Sequence, residues 1–128
     1  MISVVRTRGL VALGYMAGVL TLTLLPGRQV ASWGFTGSLL DLAHVPLFTG
    51  LTLVTLWAVV GPRVQRLVLV ATATILFAAA DEQLQRFAPG RDASVADFAR
   101  DVLGVAIGFL LAEGLLPLAV TFRKESQR

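Results

Sequence analysis

The stretch LAHVPLFTGLTLVTLWAVVGP, residues 42–62, contains 21 residues and no Asp, Glu, Lys or Arg. A hydrocarbon core about 30 Å thick is crossed by roughly 20 residues of apolar helix. The stretch therefore predicts a membrane-spanning helix, TM2, over about residues 42–61. The mean hydropathy of the whole chain is +0.76, and a domain of 128 residues is too small to bury so much apolar surface in its own interior. Lipid is the simplest solvent for it.

Three further apolar runs flank TM2. They are TM1 (about 9–27), TM3 (about 64–81) and TM4 (about 95–121). TM3 is short, because only 14 uncharged residues lie between Arg66 and Asp81. TM4 is interrupted by Glu113. The predicted fold is all-α: a single polytopic membrane domain over residues 1–128, built as a four-transmembrane-helix bundle, with a polar loop over residues 82–94.

The composition excludes several classes of site. The chain has no cysteine and one histidine, so a disulfide framework, a thiol nucleophile and a multi-histidine metal site within one chain are ruled out. The net charge is +3, but the basic residues form no stripe interleaved with aromatic residues, as a nucleic-acid surface would. No cofactor, resident metal or nucleic-acid partner is predicted. Membrane lipids are the expected partners, and a homo-oligomer is compatible with the sequence.

The positions of Lys and Arg predict the orientation in the membrane. With four spans, seven basic residues fall on one side and four on the other, and the side richer in Lys and Arg faces the cytoplasm. Both termini are therefore predicted to be cytoplasmic. The seven are Arg6, Arg8, Arg63, Arg66, Arg123, Lys124 and Arg128, and the four are Arg28, Arg86, Arg91 and Arg100.

Charged residues are concentrated in residues 81–104, DEQLQRFAPGRDASVADFARDVLG, which hold five acidic and three basic residues in 24 positions. Within this stretch Pro89-Gly90 is a turn signal. Ser94 stands three residues before Asp97, a capping pattern that predicts the N-cap of TM4.

One face of TM4 combines carboxylates with small residues. Asp97, Asp101, Gly104 and Gly108 recur at intervals of four and three, so they follow one stripe of a helix at about 100° per residue. Gly104, Gly108 and Ala112 form a row of small residues that lets a second helix approach closely. The face of TM4 that carries the two carboxylates is therefore predicted to be the face that packs against a second helix.

In the predicted topology the polar ends of TM2, TM3 and TM4 meet at the extracytoplasmic face. Ionisable groups near the bilayer are costly and tend to find partners, so these residues are expected to form one polar cluster. The predicted ligand-binding residues are Asp41, His44, Asp81, Glu82, Gln85, Arg91, Ser94, Asp97 and Asp101. Glu113 lies about 160° round TM4 from the Asp97 stripe, which predicts a separate helix or oligomer contact.

The pattern resembles the VanZ-like family of bacterial membrane proteins, whose namesake is associated with resistance to the glycopeptide teicoplanin. The resemblance covers about residues 10–120. It is carried by His44, then Asp81-Glu82-x-x-Gln85-x-Phe87-x-Pro89-Gly90-Arg91-x-x-Ser94-x-x-Asp97, then Asp101-x-x-Gly104. It implies a multi-pass protein of the bacterial cytoplasmic (inner) membrane and the cell envelope. The chain lacks the Lys that often precedes the family's His, and it has Phe48 in place of a Tyr and Asp101 where many members carry Asn.

Three functions are open at this stage. The first is binding of an anionic lipid, a cell-wall precursor or a glycopeptide-type ligand by Arg91, a second arginine and the N-terminal amides of TM4. The second is a membrane enzyme acting on a lipid-linked substrate, with His44 as general base, Glu82 as acid and Arg91 as electrostatic stabiliser. A variant of it uses His44, Glu82 and Asp97 as metal ligands. The third is a purely structural polar clasp between the helices.

Overall fold

The computed structural model describes residues 1–34 and 37–125, the side chains of residues 115–125 excepted. Most of these residues are helical. In chain order the elements are β1 Ser3–Val4, α1 Arg6–Thr23, α2 Gly27–Ser32, α3 Gly37–Ala58, β2 Val59–Val60, α4 Arg63–Gln85 and α5 Val95–Glu125. The segments predicted as TM1 to TM4 correspond to the helices α1, α3, α4 and α5. Arg128, one of the residues used to predict orientation, lies outside the described residues.

A two-stranded antiparallel sheet joins the start of the chain to the end of α3, an addition to the all-helical prediction. Ser3 pairs with Val60, and Val4 pairs with Val59. Three of these four residues are valines, whose branched side chains favour extended backbone. The paired strands hold the first residue of α1 close to the last residue of α3.

Pro26 separates α1 from α2, a short helix that precedes α3. Proline is well suited to the start of a helix, where its missing N–H costs nothing. Gly27 donates its N–H to Pro89 O at 3.3 Å. A Cβ on Gly27 would lie 2.4 Å from Gly90 O. The turn at Pro89-Gly90 therefore packs directly on the start of α2, and only glycine fits at position 27.

The most extensive helix–helix contact joins α3 and α5, and it is made on the predicted glycine stripe. A Cβ on Gly104 would lie 2.5 Å from Val45 O, and a Cβ on Gly108 would lie 2.7 Å from Thr52 Cβ. Thr49 Oγ1 donates to Gly104 O at 3.0 Å. The close helix approach predicted for these two glycines is confirmed.

Two helices in the described ranges are long and apolar enough to cross a membrane, namely α3 and α4. In each of them only 28% of the most apolar 18-residue window is buried inside the protein. The 18 residues of α1 include Arg6 and Arg8 at its start. The apolar part of α5 continues into residues whose side chains are not described.

The packed helices have two different ends. The polar end lies where α1 and α4 finish and where α3 and α5 begin, and it contains Thr23, His44, Asp81 and Asp101. The strand end contains β1, β2 and the start of α4. Between them lies an apolar interior in which Phe48 is fully buried and its ring is 6.0 Å from that of Phe77.

Candidate functional site

His44 of α3 and Asp101 of α5 form a buried pair at the polar end. His44 Nδ1 lies 2.7 Å from Asp101 Oδ1, and the two side chains are 4% and 0% exposed. The pair is close because Gly104, one turn further along the Asp101 stripe, lets α5 contact the backbone of α3. Asp101 Oδ2 is buried without a hydrogen-bond partner among the described residues. Both of these predicted site residues therefore belong to a helix–helix contact.

Asp81 is held by a residue that the sequence reasoning missed. Thr23 Oγ1 donates to Asp81 Oδ1 at 2.6 Å, and Gln85 Nε2 donates to Asp81 Oδ2 at 3.2 Å. Asp81 and Gln85 are one turn apart on α4, as their spacing predicts. Thr23 is the last residue of α1. A hydroxyl at the end of an apolar helix, three residues before Pro26, was the only sequence signal for this partner.

Glu82 and Ser94 join the end of α4 to the start of α5. The Ser94 hydroxyl accepts the backbone N–H groups of Ala96 at 3.1 Å and Asp97 at 3.4 Å, so the predicted N-cap is confirmed. The Ser94 backbone N–H donates to Glu82 Oε1. Glu82 is only 6% exposed, and its Oε2 is buried with no hydrogen-bond partner in the described ranges.

Arg100 connects two of the predicted carboxylates. It pairs with Asp97, three residues earlier on α5, and its Nη2 lies 3.9 Å from Asp41 Oδ2 of α3. The side chains of Asp41 and Arg100 are partly exposed, at 45% and 35%. This contact therefore lies at the rim of the polar end, whereas the His44 and Asp81 contacts lie inside it.

Arg91 differs from the other members of the predicted cluster because it lines two cavities. Its Nε–H donates to Leu25 O at 3.3 Å. In the described part of the chain its guanidinium makes no ion pair within 4 Å. Arg91 lines two neighbouring cavities, and Leu40 is the other residue that they share.

The two cavities beside Arg91 have different chemistry. The first, here called the apolar cavity, has a volume of about 480 Å³. Its wall comes mainly from apolar residues of α1, α2 and α3, and its polar groups include Thr23, His44 and Arg91. The second, here called the acidic cavity, has a volume of about 290 Å³ and is lined by Asp41, Asp92 and Asp97 as well as Arg91.

The residues proposed for an enzyme do not all face one space. His44 lines the apolar cavity together with Arg91, but Glu82 lines a third cavity that shares no residue with the other two. Within the described residues, no three His, Asp or Glu side chains lie close enough to hold a metal ion. The metal variant based on His44, Glu82 and Asp97 is therefore wrong for this arrangement of the helices.

Comparisons of the chain with protein-family models, with curated proteins and with solved structures found no match. The contacts and cavities of the polar end are thus the observations that bear on function. His44 pairs with Asp101, and Arg100 pairs with Asp97 and Asp41. Arg91 is placed between an apolar and an acidic space.

Proposed function

We propose that the chain is a VanZ-like integral membrane protein of the bacterial cell envelope, and that it binds an amphiphile through the anionic group of its head at Arg91. The observation that carries this proposal is the position of Arg91 on the walls of both the apolar and the acidic cavity. One part of the ligand would lie in each cavity, with the anionic group between them.

The surface of the helices supports a membrane location. Large apolar side chains are exposed along several helices, among them Leu13, Leu42, Val68, Leu76 and Leu110 at 61% or more. A core helix of a water-soluble protein would bury most of its apolar window, whereas α3 and α4 bury 28%. We propose that α1, α3, α4 and α5 all cross the membrane, with cytoplasmic termini and with the polar end outside.

The chemistry of the two cavities supports an amphiphile. An apolar cavity of about 480 Å³ suits hydrocarbon. A guanidinium is the side chain best suited to a phosphate or carboxylate, which it contacts through two parallel hydrogen bonds. Asp41, Asp92 and Asp97 in the acidic cavity are acceptors for hydroxyl or amide groups of a sugar or peptide. An anionic lipid, a lipid-linked cell-wall precursor and a glycopeptide-type ligand all carry such groups.

The remaining polar residues hold the site together in this proposal. The Asp81 contacts tie α1 to α4, the Asp101 contact ties α3 to α5, and Ser94 ties α5 to α4. His44 lines the apolar cavity and also makes one of these ties. These contacts equally support a purely structural clasp, and the test below separates the two functions.

One observation favours a second candidate, a membrane hydrolase. A carboxylate bonded to Nδ1 of a histidine holds the tautomer that keeps Nε2 free as a base, and His44 shares its cavity with Arg91. Glu82 takes no part in this version, because it lines a different cavity. This candidate predicts turnover of a lipid-linked ester that is lost in His44→Gln, with binding retained.

The binding function is tested by measuring which lipids stay with the purified protein. Wild type, Arg91→Gln and Arg28→Gln are extracted from the same membranes, and bound anionic lipid is counted by native mass spectrometry. Arg28 is an exposed arginine of α2 that lines none of the three cavities. Loss of a charge-assisted hydrogen bond is expected to lower retention about tenfold in Arg91→Gln, and Arg28→Gln should match wild type.

The structural clasp predicts a different result from the same samples. If Arg91→Gln folds and retains anionic lipid as wild type does, Arg91 is not the anchor and the binding proposal is wrong. Folding is checked independently by thermal melting in detergent, followed by the fluorescence of the two tryptophans.

A further inference from the structure

The third cavity, here called the Glu82 cavity, lies between the last turns of α4 and the first turns of α5. It has a volume of about 260 Å³ and is lined chiefly by Glu82, Gln83, Arg86, Ser94, Val95 and Phe98. It shares no lining residue with the apolar or the acidic cavity. Any ligand here is therefore separate from the one proposed for Arg91.

The Glu82 carboxylate is incompletely bonded. Oε1 accepts the Ser94 N–H, whereas the buried Oε2 has no partner among the described residues. Buried carboxylate oxygens in native proteins nearly always have a donor, because an unpaired one costs several kilocalories per mole. Glu82, which lines this cavity, therefore lacks a hydrogen-bond donor for its buried Oε2. A ligand with an N–H or O–H group would supply it.

Arg86 places a positive charge on the same wall. It follows Glu82 by four residues on α4, a spacing that puts two side chains on neighbouring positions of one helix face, with about 5–6 Å between their Cβ atoms. Arg86 is exposed, and no carboxylate of the described residues lies within 4 Å of its guanidinium. The cavity therefore offers an acceptor for a cation beside a donor for an anion.

The edge of the cavity is apolar. Val95 is 86% exposed, and Phe98 is partly buried against the helices. Phe87, the residue after Arg86, is 84% exposed. Exposed apolar side chains at the edge of a charged cavity mark a surface on which apolar groups can pack. A lipid whose head lies in the cavity would therefore place its acyl chains against an apolar surface.

We propose that the Glu82 cavity binds the ammonium–phosphate head of an aminophospholipid such as phosphatidylethanolamine. The ammonium group donates to the Glu82 carboxylate, and the phosphate accepts hydrogen bonds from Arg86. The two-carbon bridge between them is short enough to match residues one helical turn apart. The glycerol head of phosphatidylglycerol offers Glu82 only neutral hydroxyl donors, which bond a carboxylate more weakly than an ammonium does, and a trimethylated head has no N–H to donate. The inference rests on the proposed membrane location, and it is independent of Arg91.

The test uses the full chain in nanodiscs that contain equal amounts of phosphatidylethanolamine, phosphatidylglycerol and phosphatidylcholine. Retained lipids are counted by native mass spectrometry for wild type, Glu82→Gln, Arg86→Gln and two controls. The controls are Glu113→Gln, a carboxylate at the strand end that pairs with Arg63, and Arg28→Gln. In Glu82→Gln the side-chain carbonyl still accepts the Ser94 N–H, so the cap of α5 is preserved.

We expect wild type to retain phosphatidylethanolamine about tenfold more than phosphatidylcholine, the effect of one charge-assisted hydrogen bond, while phosphatidylglycerol is also retained through Arg91. Glu82→Gln should abolish that preference, Arg86→Gln should lower retention of phosphatidylethanolamine and phosphatidylglycerol alike, and the controls should match wild type. Val95→Trp provides a second route, because it fills the cavity from an 86% exposed position and should give the same loss.

Three results would overturn the inference. They are equal retention of phosphatidylethanolamine and phosphatidylcholine by wild type, an unchanged preference in Glu82→Gln, and unchanged retention of phosphatidylethanolamine in Val95→Trp. Phosphoethanolamine without acyl chains is the other source of the same chemistry, and it is added to lipid-free protein in detergent. If phosphoethanolamine stabilises wild type but not Glu82→Gln, and wild type shows no lipid preference in nanodiscs, then the ligand of the cavity is not a lipid. Arg91→Gln, measured in the same nanodiscs, should lower the retention of phosphatidylglycerol alone, and a loss of phosphatidylethanolamine in that variant would contradict the independence of the Glu82 cavity from Arg91.

Discussion

The polar end and the strand end hold the same kinds of charged residues in opposite surroundings. At the polar end, His44 and Asp101 form a hydrogen-bonded pair whose side chains are 4% and 0% exposed. At the strand end, Arg63 pairs with Glu113 while the Arg63 side chain is 72% exposed. Arg8 also lies there, with its guanidinium 5.0 Å from the centre of the Trp57 ring and one Nη donating to Trp57 O.

Burial, more than charge, decides how much a polar contact contributes to the stability of the fold. Water competes for the groups of an exposed ion pair, so such a pair contributes at most about 1 kcal/mol to the free energy of unfolding. A buried pair is costly to desolvate, so removing one partner leaves the other uncompensated and destabilises the fold strongly. The polar end therefore holds the helices in one arrangement, and the strand end tolerates change. Arg66 fits neither description, because its Nε is buried without a hydrogen-bond partner among the described residues.

The largest effect is expected for His44→Ala. The change leaves the Asp101 carboxylate buried and unpaired, which should lower the free energy of unfolding by about 3–5 kcal/mol. The free energy is measured by SDS titration in mixed micelles, followed by tryptophan fluorescence. Leu42→Ala is the matched control on the same helix, because Leu42 is 64% exposed. Equal effects of the two changes would remove the distinction between buried and exposed positions of α3.

A smaller effect is expected for Thr23→Val, which has nearly the same shape but no hydroxyl. It removes the 2.6 Å hydrogen bond to Asp81, while Gln85 still donates to the same carboxylate. The free energy of unfolding should fall by about 1–2 kcal/mol in the same titration. Thr21→Val is the control, since Thr21 is exposed and, among the described residues, its hydroxyl bonds only to Ala17 O of its own helix. A loss in Thr21→Val as large as that in Thr23→Val would argue against the contact with Asp81.

The smallest effect is expected for Arg63→Ala at the strand end. Its partner Glu113 is partly exposed and regains water when the pair is broken, so the free energy of unfolding should change by less than about 1 kcal/mol. Added salt should weaken the pair in wild type and leave Arg63→Ala unaffected. A loss comparable to that of His44→Ala would mean that the strand end is as tightly coupled as the polar end.

Features governed by local spacing were predictable from the sequence. The stripe of Asp101, Gly104 and Gly108 follows from helix periodicity, and the structure packs it against α3. The Ser94 cap follows from a four-residue pattern. Glu113, placed away from the stripe by its spacing, contacts Arg63 of a different helix. Each of these needs only the geometry of one helix.

Pairing across helices was not predictable, because it depends on the rotation of each helix about its own axis. The sequence suggests one shared cluster but does not say which residues bond to each other. In the structure His44 bonds to Asp101, Asp81 bonds to Thr23, and Glu82 bonds to the backbone N–H of Ser94. The separation of the cavities follows from those choices. The strand pair was missed for a related reason, since its two-residue strands lie 55 residues apart in the chain.

The most direct measurement of the central claim is the side of the membrane on which each end lies. The chain has no cysteine, so Asp92→Cys at the polar end and Gln65→Cys at the strand end each introduce a single thiol at an exposed position. In intact cells, a membrane-impermeant maleimide should label Asp92→Cys, and it should label Gln65→Cys only after permeabilisation. Labelling of Gln65→Cys from outside, or protection of Asp92→Cys until permeabilisation, would contradict an outward-facing polar end.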